Sequence, residues 1–189
     1  MTYTYRCNAW AVTGGLVSLL VISAQPALAA VAVAGDGQIL FGGSLVAETC
    51  TISVNNTVGS TSNIALPKVS RTGMVAEGST KGGTGFTFKL TSCSGSTASK
   101  AKVFFQGGPR VNSDGTLGNA ITAHGATGVA LQLYDASMNP ILIGDPSQLN
   151  QPATTFGGLM GYTAQYVVNS DAVGSGPFST NVTYSISYL

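Results

Sequence analysis

The most regular feature of the sequence is a set of short runs in which apolar and polar residues alternate. This period of two is expected of β-strands that bury one face. The pattern predicts strands at residues 45–54, 64–69, 86–93, 101–106, 128–135, 141–143, 162–168 and 179–189. Turn-forming Gly, Asn and Ser residues separate these runs, and no stretch shows sustained helical periodicity. Many short strands with such turns predict an all-β sandwich.

One further alternating run, residues 31–45 (VAVAGDGQILFGGSL), precedes the first of these strands. Gly35, Gly37 and Gly43 weaken it as an independent strand, because glycine loses much backbone entropy and offers no side chain to pack. The pattern also identifies no partner for this run inside its own domain. We therefore expect a neighbouring molecule to hold it.

The first 29 residues have the features of a signal peptide. Arg6 precedes an apolar run at residues 11–24, and Ala27-Leu28-Ala29 supplies a small-x-small cleavage pattern. The run is short and interrupted by glycine for a membrane span, although an uncleaved anchor is the alternative. The predicted organisation is a signal peptide at 1–29, an N-terminal arm at 30–44 and one domain at 45–189.

The charge composition narrows the classes of partner. The chain has 8 Lys and Arg residues against 7 Asp and Glu, and only 8% of its residues are charged. A nearly neutral surface argues against nucleic acid or anionic lipid as a partner. It suits a subunit that packs against copies of itself.

The residues that could support chemistry are few. In an exported chain, Cys50 and Cys93 are most simply paired as one disulfide, and with a single histidine they make a poor metal site. That histidine, His124, lies in a glycine-rich stretch without a nearby carboxylate cluster, whereas Asp135 and Asp145 fall at turns. We predict no catalytic residue, no metal ligand and no cofactor.

A family resemblance rests on several motifs taken in order. They are Gly37, Ile39, Phe41 and Gly43 in the arm, Cys50, Cys93, residues 128–133 (GVALQL) and the penultimate Tyr188. Their order and spacing resemble pilin subunits of the chaperone-usher pathway, close to the type 1 major fimbrial subunits of Gram-negative bacteria. The resemblance implies an incomplete, six-stranded immunoglobulin-like sandwich that a donor strand from another molecule completes.

The resemblance also implies a role for two sets of residues. The groove-facing residues of the donor strand would be Val33, Gly35, Gly37, Ile39 and Phe41. The receiving edge, which the chaperone would also contact, would comprise Val182, Tyr184, Ile186, Tyr188 and Leu189. The implied partners are neighbouring pilin subunits, a periplasmic chaperone and an outer-membrane usher, with export through the periplasm to a fimbria on the cell surface.

Other functions remain open at this point. A secreted carbohydrate-binding module or a minor or adhesive fimbrial subunit could use the same sandwich. The only tryptophan, Trp10, lies in the predicted signal peptide, so the mature chain lacks the residue often used to stack on sugars. A small secreted hydrolase is disfavoured by the single loop histidine.

Overall fold

A computed structural model describes residues 49–59, 61–95 and 98–189, and the regular secondary structure of this part of the chain is β-strand apart from one short 3-10 helix. It confirms the predicted all-β class. The elements are β1 (Thr49–Val54), β2 (Thr57–Val58), β3 (Thr80–Ser94), β4 (Lys100–Phe105), β5 (Val129–Tyr134), β6 (Pro140–Ile141), the 3-10 helix η1 (Pro146–Asn150), β7 (Thr154–Thr155), β8 (Leu159–Val168) and β9 (Tyr184–Tyr188). Within the described ranges, no helix is both long and apolar enough to cross a membrane. The predicted signal peptide and arm lie outside the described residues.

The strands form two antiparallel sheets. The larger sheet has the order β2-β1-β3-β8-β5-β6, and the smaller one has the order β7-β4-β9. The core lies between them, since buried residues of β3, β5 and β8 belong to the same hydrophobic cluster as those of β4. This face-to-face packing of two sheets is that of a β-sandwich.

Alternation along the strands decides which residues fill this core. On β3, Phe86, Phe88 and Leu90 are buried, and the polar residues between them lie on the outer face. Facing rings continue the packing: the centroid of Phe105 on β4 is 5.2 Å from that of Tyr162 on β8. Edge-to-face pairs of this kind add stability beyond the area that they bury.

The predicted disulfide is confirmed. The sulfur atoms of Cys50 and Cys93 are bonded at 2.13 Å across a sequence separation of 43 residues. The bond joins β1 to β3 beside a shift in their register. In the chain-entropy model, closing a loop of this length contributes roughly 4 kcal/mol of stability.

Several strand predictions were wrong in detail, and of the predicted C-terminal strand at 179–189 only Tyr184–Tyr188 forms β9. Residues 55–63 were predicted to be a loop, but a tight turn at Asn55 and Asn56 leads directly into the short strand β2, which pairs with β1. The two turn residues have φ angles of 48° and 63°, a left-handed region that Asn tolerates. Strand β3 begins at Thr80 and not at residue 86, because a register shift accommodates Gly82 at a φ of 71°. Residues 64–69 join no ladder, and Pro67, which lacks an N–H group, is unsuited to one.

Tyr162 generates a prediction for alkaline pH. Burial, with a further contribution from the negative charge of Asp135, raises the pKa of Tyr162 to about 12, whereas an unfolded tyrosine titrates near 10. The folded state therefore stabilises the neutral phenol, and this contribution is complete below about pH 10 and lost between about pH 10 and 12. Urea unfolding should show the free energy of unfolding falling by roughly 2–3 kcal/mol over that window.

Tyr162→Phe should remove most of this fall. Tyr134→Phe is the matched control, because burial also raises the pKa of Tyr134 but that side chain is more exposed. An unchanged alkaline profile in Tyr162→Phe would contradict the assignment.

Candidate functional site

Strand β9 has one unpaired edge among the residues that the structure describes. Its single ladder partner is β4. Leu189 and Lys100 exchange both backbone hydrogen bonds, at 2.9 and 3.1 Å, and the N–H of Gln106 donates to the carbonyl of Thr183 at 2.8 Å. Bonding in an antiparallel ladder alternates, so the odd-numbered residues of this segment face β4. The N–H and C=O groups of the even-numbered residues 182, 184, 186 and 188 point to the open edge.

The side chains of these four residues point into the sandwich. Val182, Tyr184, Ile186 and Tyr188 are partly buried against the core cluster. The ring of Tyr184 lies 4.8 Å from that of Phe88, centroid to centroid. The strand is therefore anchored on its inner face and along β4, while its second row of backbone groups is free to pair.

A groove of about 1100 Å³ opens beside this edge. One wall is formed by the segment from Phe178 to Tyr184, and the other by residues of β1 together with residues 58, 59, 61–64 and 66. The floor consists of core side chains from both sheets, namely Phe86, Phe88, Phe105, Leu117, Leu131, Ala164 and Tyr166. None of the described lining residues is charged, so an occupant gains mainly from apolar burial and backbone hydrogen bonds.

Two hydroxyl groups in the groove have no hydrogen-bond partner among the described residues. They belong to Ser62 on one wall and Thr180 on the other, and both oxygen atoms are buried. A buried polar group without a partner costs free energy. An extended peptide in the groove would bring N–H and C=O groups to within reach of them.

The outermost strands of the larger sheet are short, and the second edge of β4 is covered. Strands β2, β6 and β7 each have two residues, and β6 begins with Pro140, which cannot donate a ladder bond. The second edge of β4 is covered by β7 at one end and by Gln148 at the other. Strand β9, in contrast, has no ladder partner along the whole of its second edge in the described part of the chain.

Gln148 replaces a strand at the covered edge of β4. Its Oε1 accepts from the N–H of Phe105, and its Nε2 donates to the carbonyl of Phe105, both at 3.0 Å. The side chain is only 3% exposed. The amide thus satisfies the backbone groups of Phe105 that point away from β9.

Gln148→Leu should lower the free energy of unfolding by about 1–3 kcal/mol, because it leaves the buried N–H of Phe105 without a partner. Urea unfolding at neutral pH measures the loss. Gln165→Leu on β8 is the matched control, since Gln165 is partly exposed and its side chain makes no hydrogen bond to the described residues. Equal stability of the two variants would contradict the role of Gln148.

The predicted site residues are placed as follows. Val182 and Tyr184 line the groove, and Ile186 and Tyr188 continue the same edge. Leu189 differs, because its backbone bonds to Lys100 and its side chain is 54% exposed. The predicted donor residues Val33, Gly35, Gly37, Ile39 and Phe41 lie outside the described residues. Sequence reasoning missed the opposite wall, although partial burial at Ser62, Ile64 and Leu66 follows the same period of two.

Titratable groups do not converge on a reactive centre in the described ranges. No cluster there contains three or more His, Cys, Asp or Glu residues that could hold a metal ion. Burial raises the pKa of Tyr166 in the groove floor, which keeps its phenol neutral. The fold and the groove together define a sandwich built to bind an extended chain at one edge.

Comparisons with known proteins identify the family. The family model described as "Fimbrial protein" matches residues 39–189, and the chain belongs to this family. It is 32% identical to the major fimbrial subunit SMF-1 of Stenotrophomonas maltophilia, covering 82% of this chain and 94% of that protein. It is 28% identical to the serotype 2 fimbrial subunit of Bordetella pertussis, covering 88% of this chain and 93% of that protein.

Solved structures show the same fold. A type I fimbria protein of Burkholderia pseudomallei, 26% identical, has a TM-score of 0.50 and matches 76% of this chain and 99% of its own. The P pilus rod subunit PapA, 22% identical, has a TM-score of 0.55 and matches 74% of this chain and 99% of its own. The fold is therefore the immunoglobulin-like sandwich of pilin subunits.

Proposed function

We propose that this protein is a structural subunit of a surface fimbria that polymerises by donor-strand exchange. The arm at residues 30–44 of one molecule would fill the groove beside β9 of the next. The observation that carries the proposal is the row of unpaired backbone groups at residues 182, 184, 186 and 188, above an uncharged groove. β-Augmentation joins such an edge to an extended peptide.

The arm has the chemistry that this groove requires. Its alternate residues Val33, Ile39 and Phe41 are apolar, and their burial would contribute on the order of 5–8 kcal/mol. Each added ladder bond contributes roughly 1 kcal/mol more. Gly37 matches the small residue of the family's donor strands, at which the resemblance implies that a side chain would clash with the groove.

The geometry of the contact favours a filament. Arm and groove belong to different surfaces of one molecule, so the contact is heterologous and leaves a free arm and a free groove at the two ends. A periplasmic chaperone would occupy the same edge before assembly, and an outer-membrane usher would direct the exchange, as the chaperone-usher family implies. The role is mechanical, without a catalytic residue or a cofactor.

Ile39→Asp in the arm should abolish filament formation by the mature chain, because it would place a carboxylate against an uncharged groove. The matched control is Leu40→Asp at the next position, whose side chain would point away from the groove. Filaments are counted by electron microscopy and assembly is measured by size-exclusion chromatography. Filaments of normal length from the Ile39→Asp chain would contradict the proposal that the arm is the donor strand.

A synthetic peptide spanning residues 30–44 should raise the thermal midpoint of the Ile39→Asp chain, since it completes the sandwich in trans. A peptide with Gly37 replaced by Trp should fail to do so. A chain that ignores the unsubstituted peptide would have a complete domain, which would favour a secreted binding module instead.

A further inference from the structure

The side chain of Asn119 joins three stretches of backbone. Its Nδ2 donates to the carbonyls of Ala126, at 3.0 Å, and Pro177, at 3.1 Å. Its Oδ1 accepts from the N–H groups of Ile121, at 3.1 Å, and Ser179, at 3.0 Å. An amide has two donor hydrogens and two acceptor lone pairs. All four of these hydrogen-bonding groups of Asn119 bind backbone atoms, so the side chain links these stretches of backbone to one another.

Two of these bonds flank a residue of the groove wall. Pro177 and Ser179 lie on either side of Phe178, which lines the groove. Backbone bonds support the same segment: the N–H of Ala120 donates to the carbonyl of Ser179 at 2.6 Å, and that of Ala126 donates to the carbonyl of Pro177 at 2.9 Å. The chain on both sides of Phe178 is therefore fixed from the same loop.

The ring of Phe178 consequently has a defined place. It packs edge to face on Tyr166 of the groove floor, at 5.3 Å between centroids and 90° between planes. Phe178 is the first residue of the wall, which continues through Val182 to β9. The position of Phe178 thus sets one end of the surface that an inserted strand would meet.

The loop that carries Asn119 packs closely on the segment that it holds. A Cβ atom on Gly176 would lie 2.5 Å from both the carbonyl carbon of Gly125 and the carbonyl oxygen of His124. A Cβ on Gly125 would in turn lie 2.8 Å from the Nδ2 of Asn119. Backbone contact at these glycines brings the loop within hydrogen-bonding distance of residues 177–179.

We propose that Asn119 is a positioning residue for the receiving groove, acting through Phe178 to set the end of the wall that accepts the donor strand. The proposal rests on the proposed function, since it concerns how well the same groove accepts the arm. Without the amide, the peptide groups on both sides of Phe178 lose bonds that hold its ring toward Tyr166. The groove would then bind its strand more weakly, although the sandwich core is left intact.

The test uses the mature chain carrying Ile39→Asp, which keeps its own groove but cannot donate its arm. Binding of a fluorescent peptide spanning residues 30–44 is measured by anisotropy, and stability by urea unfolding. Asn119→Ala should weaken peptide binding by at least about tenfold, because four hydrogen bonds are lost. Asn119→Asp should fall between that variant and the parent, since its carboxylate can still accept from the N–H groups of Ile121 and Ser179.

Gln132→Ala on β5 is the control for a general loss of stability. Its buried amide also makes hydrogen bonds, to the carbonyls of Leu133 and Ile141, and neither of these residues lines the groove, so affinity for the peptide should stay within about twofold of the parent. Affinity unchanged in Asn119→Ala would overturn the proposal. An equal loss in Gln132→Ala would do so as well. If Asn119→Ala does not fold, the same comparison is made with Asn119→Asp.

A double-mutant cycle with Phe178→Ala tests the route of the effect. If Asn119 acts through Phe178, adding Asn119→Ala to Phe178→Ala should weaken binding by less than about threefold more. Fully additive losses would overturn the proposal. Failure of the proposed function is distinguishable, because the parent chain would then not bind the peptide at all.

Discussion

The structure depends on one constraint, which is that backbone N–H and C=O groups at a sheet edge need hydrogen-bond partners. The described part of the chain meets this constraint in different ways at different edges. Two-residue strands end the larger sheet, and the amide of Gln148 substitutes for a strand beside β4. Strand β9 leaves one whole edge unpaired in that part, directly above an uncharged groove. The site is thus the place where the fold itself is left incomplete.

The rest of the sandwich is arranged so that this opening can persist. The Cys50–Cys93 bond ties β1, which forms one wall, to β3 in the middle of the larger sheet. The opposite wall is tied to β4 by a backbone ladder and to the loop of Asn119 by side-chain bonds. The aromatic floor is shared by both sheets. Both walls are therefore held from outside the groove, so the space between them does not have to be filled for the sheets to pack.

The parts of the fold that could be predicted from the sequence are those with a local pattern. Strands β4, β5 and the middle of β3 were predicted because Phe86, Phe88 and Leu90, for example, alternate with polar residues over one buried face. The first part of β3 was missed because its glycines give no such pattern. The turn at Asn55 and Asn56 was taken for a longer loop because β2 has only two residues.

The candidate site was predicted on the side of β9 and missed on the other side, for a physical reason. The even-numbered residues from 182 to 188 have side chains that point into the core and backbone groups that point to the open edge. The alternation of apolar and polar residues in the sequence therefore identifies both the buried face and the unpaired backbone groups. The contribution of Asn119 depends on bonds to Pro177 and Ser179, about 60 residues away in the sequence. Phe178 follows a proline in a glycine- and serine-rich stretch. This stretch has no alternation of apolar and polar residues from which a strand or a buried face could be predicted. Such contacts exist only once the chain has folded.

The absence of charge from the groove lining in the described structure bears on how a partner strand is selected. Charged rims discriminate partners by attraction and repulsion at a distance, and this groove has no such means. For the proposed donor strand, selection would then come from shape and register, because a slip of one residue would turn Ile39 and Phe41 outward and bring Gln38 and Leu40 inward. Gly37 of the proposed donor strand would strengthen this discrimination, since the family resemblance implies that a side chain at this position would clash with the groove. A subunit with few charges can therefore still select one strand in one register, provided that its groove walls are held in place, as the bonds of Asn119 to Pro177 and Ser179 hold the backbone on both sides of Phe178.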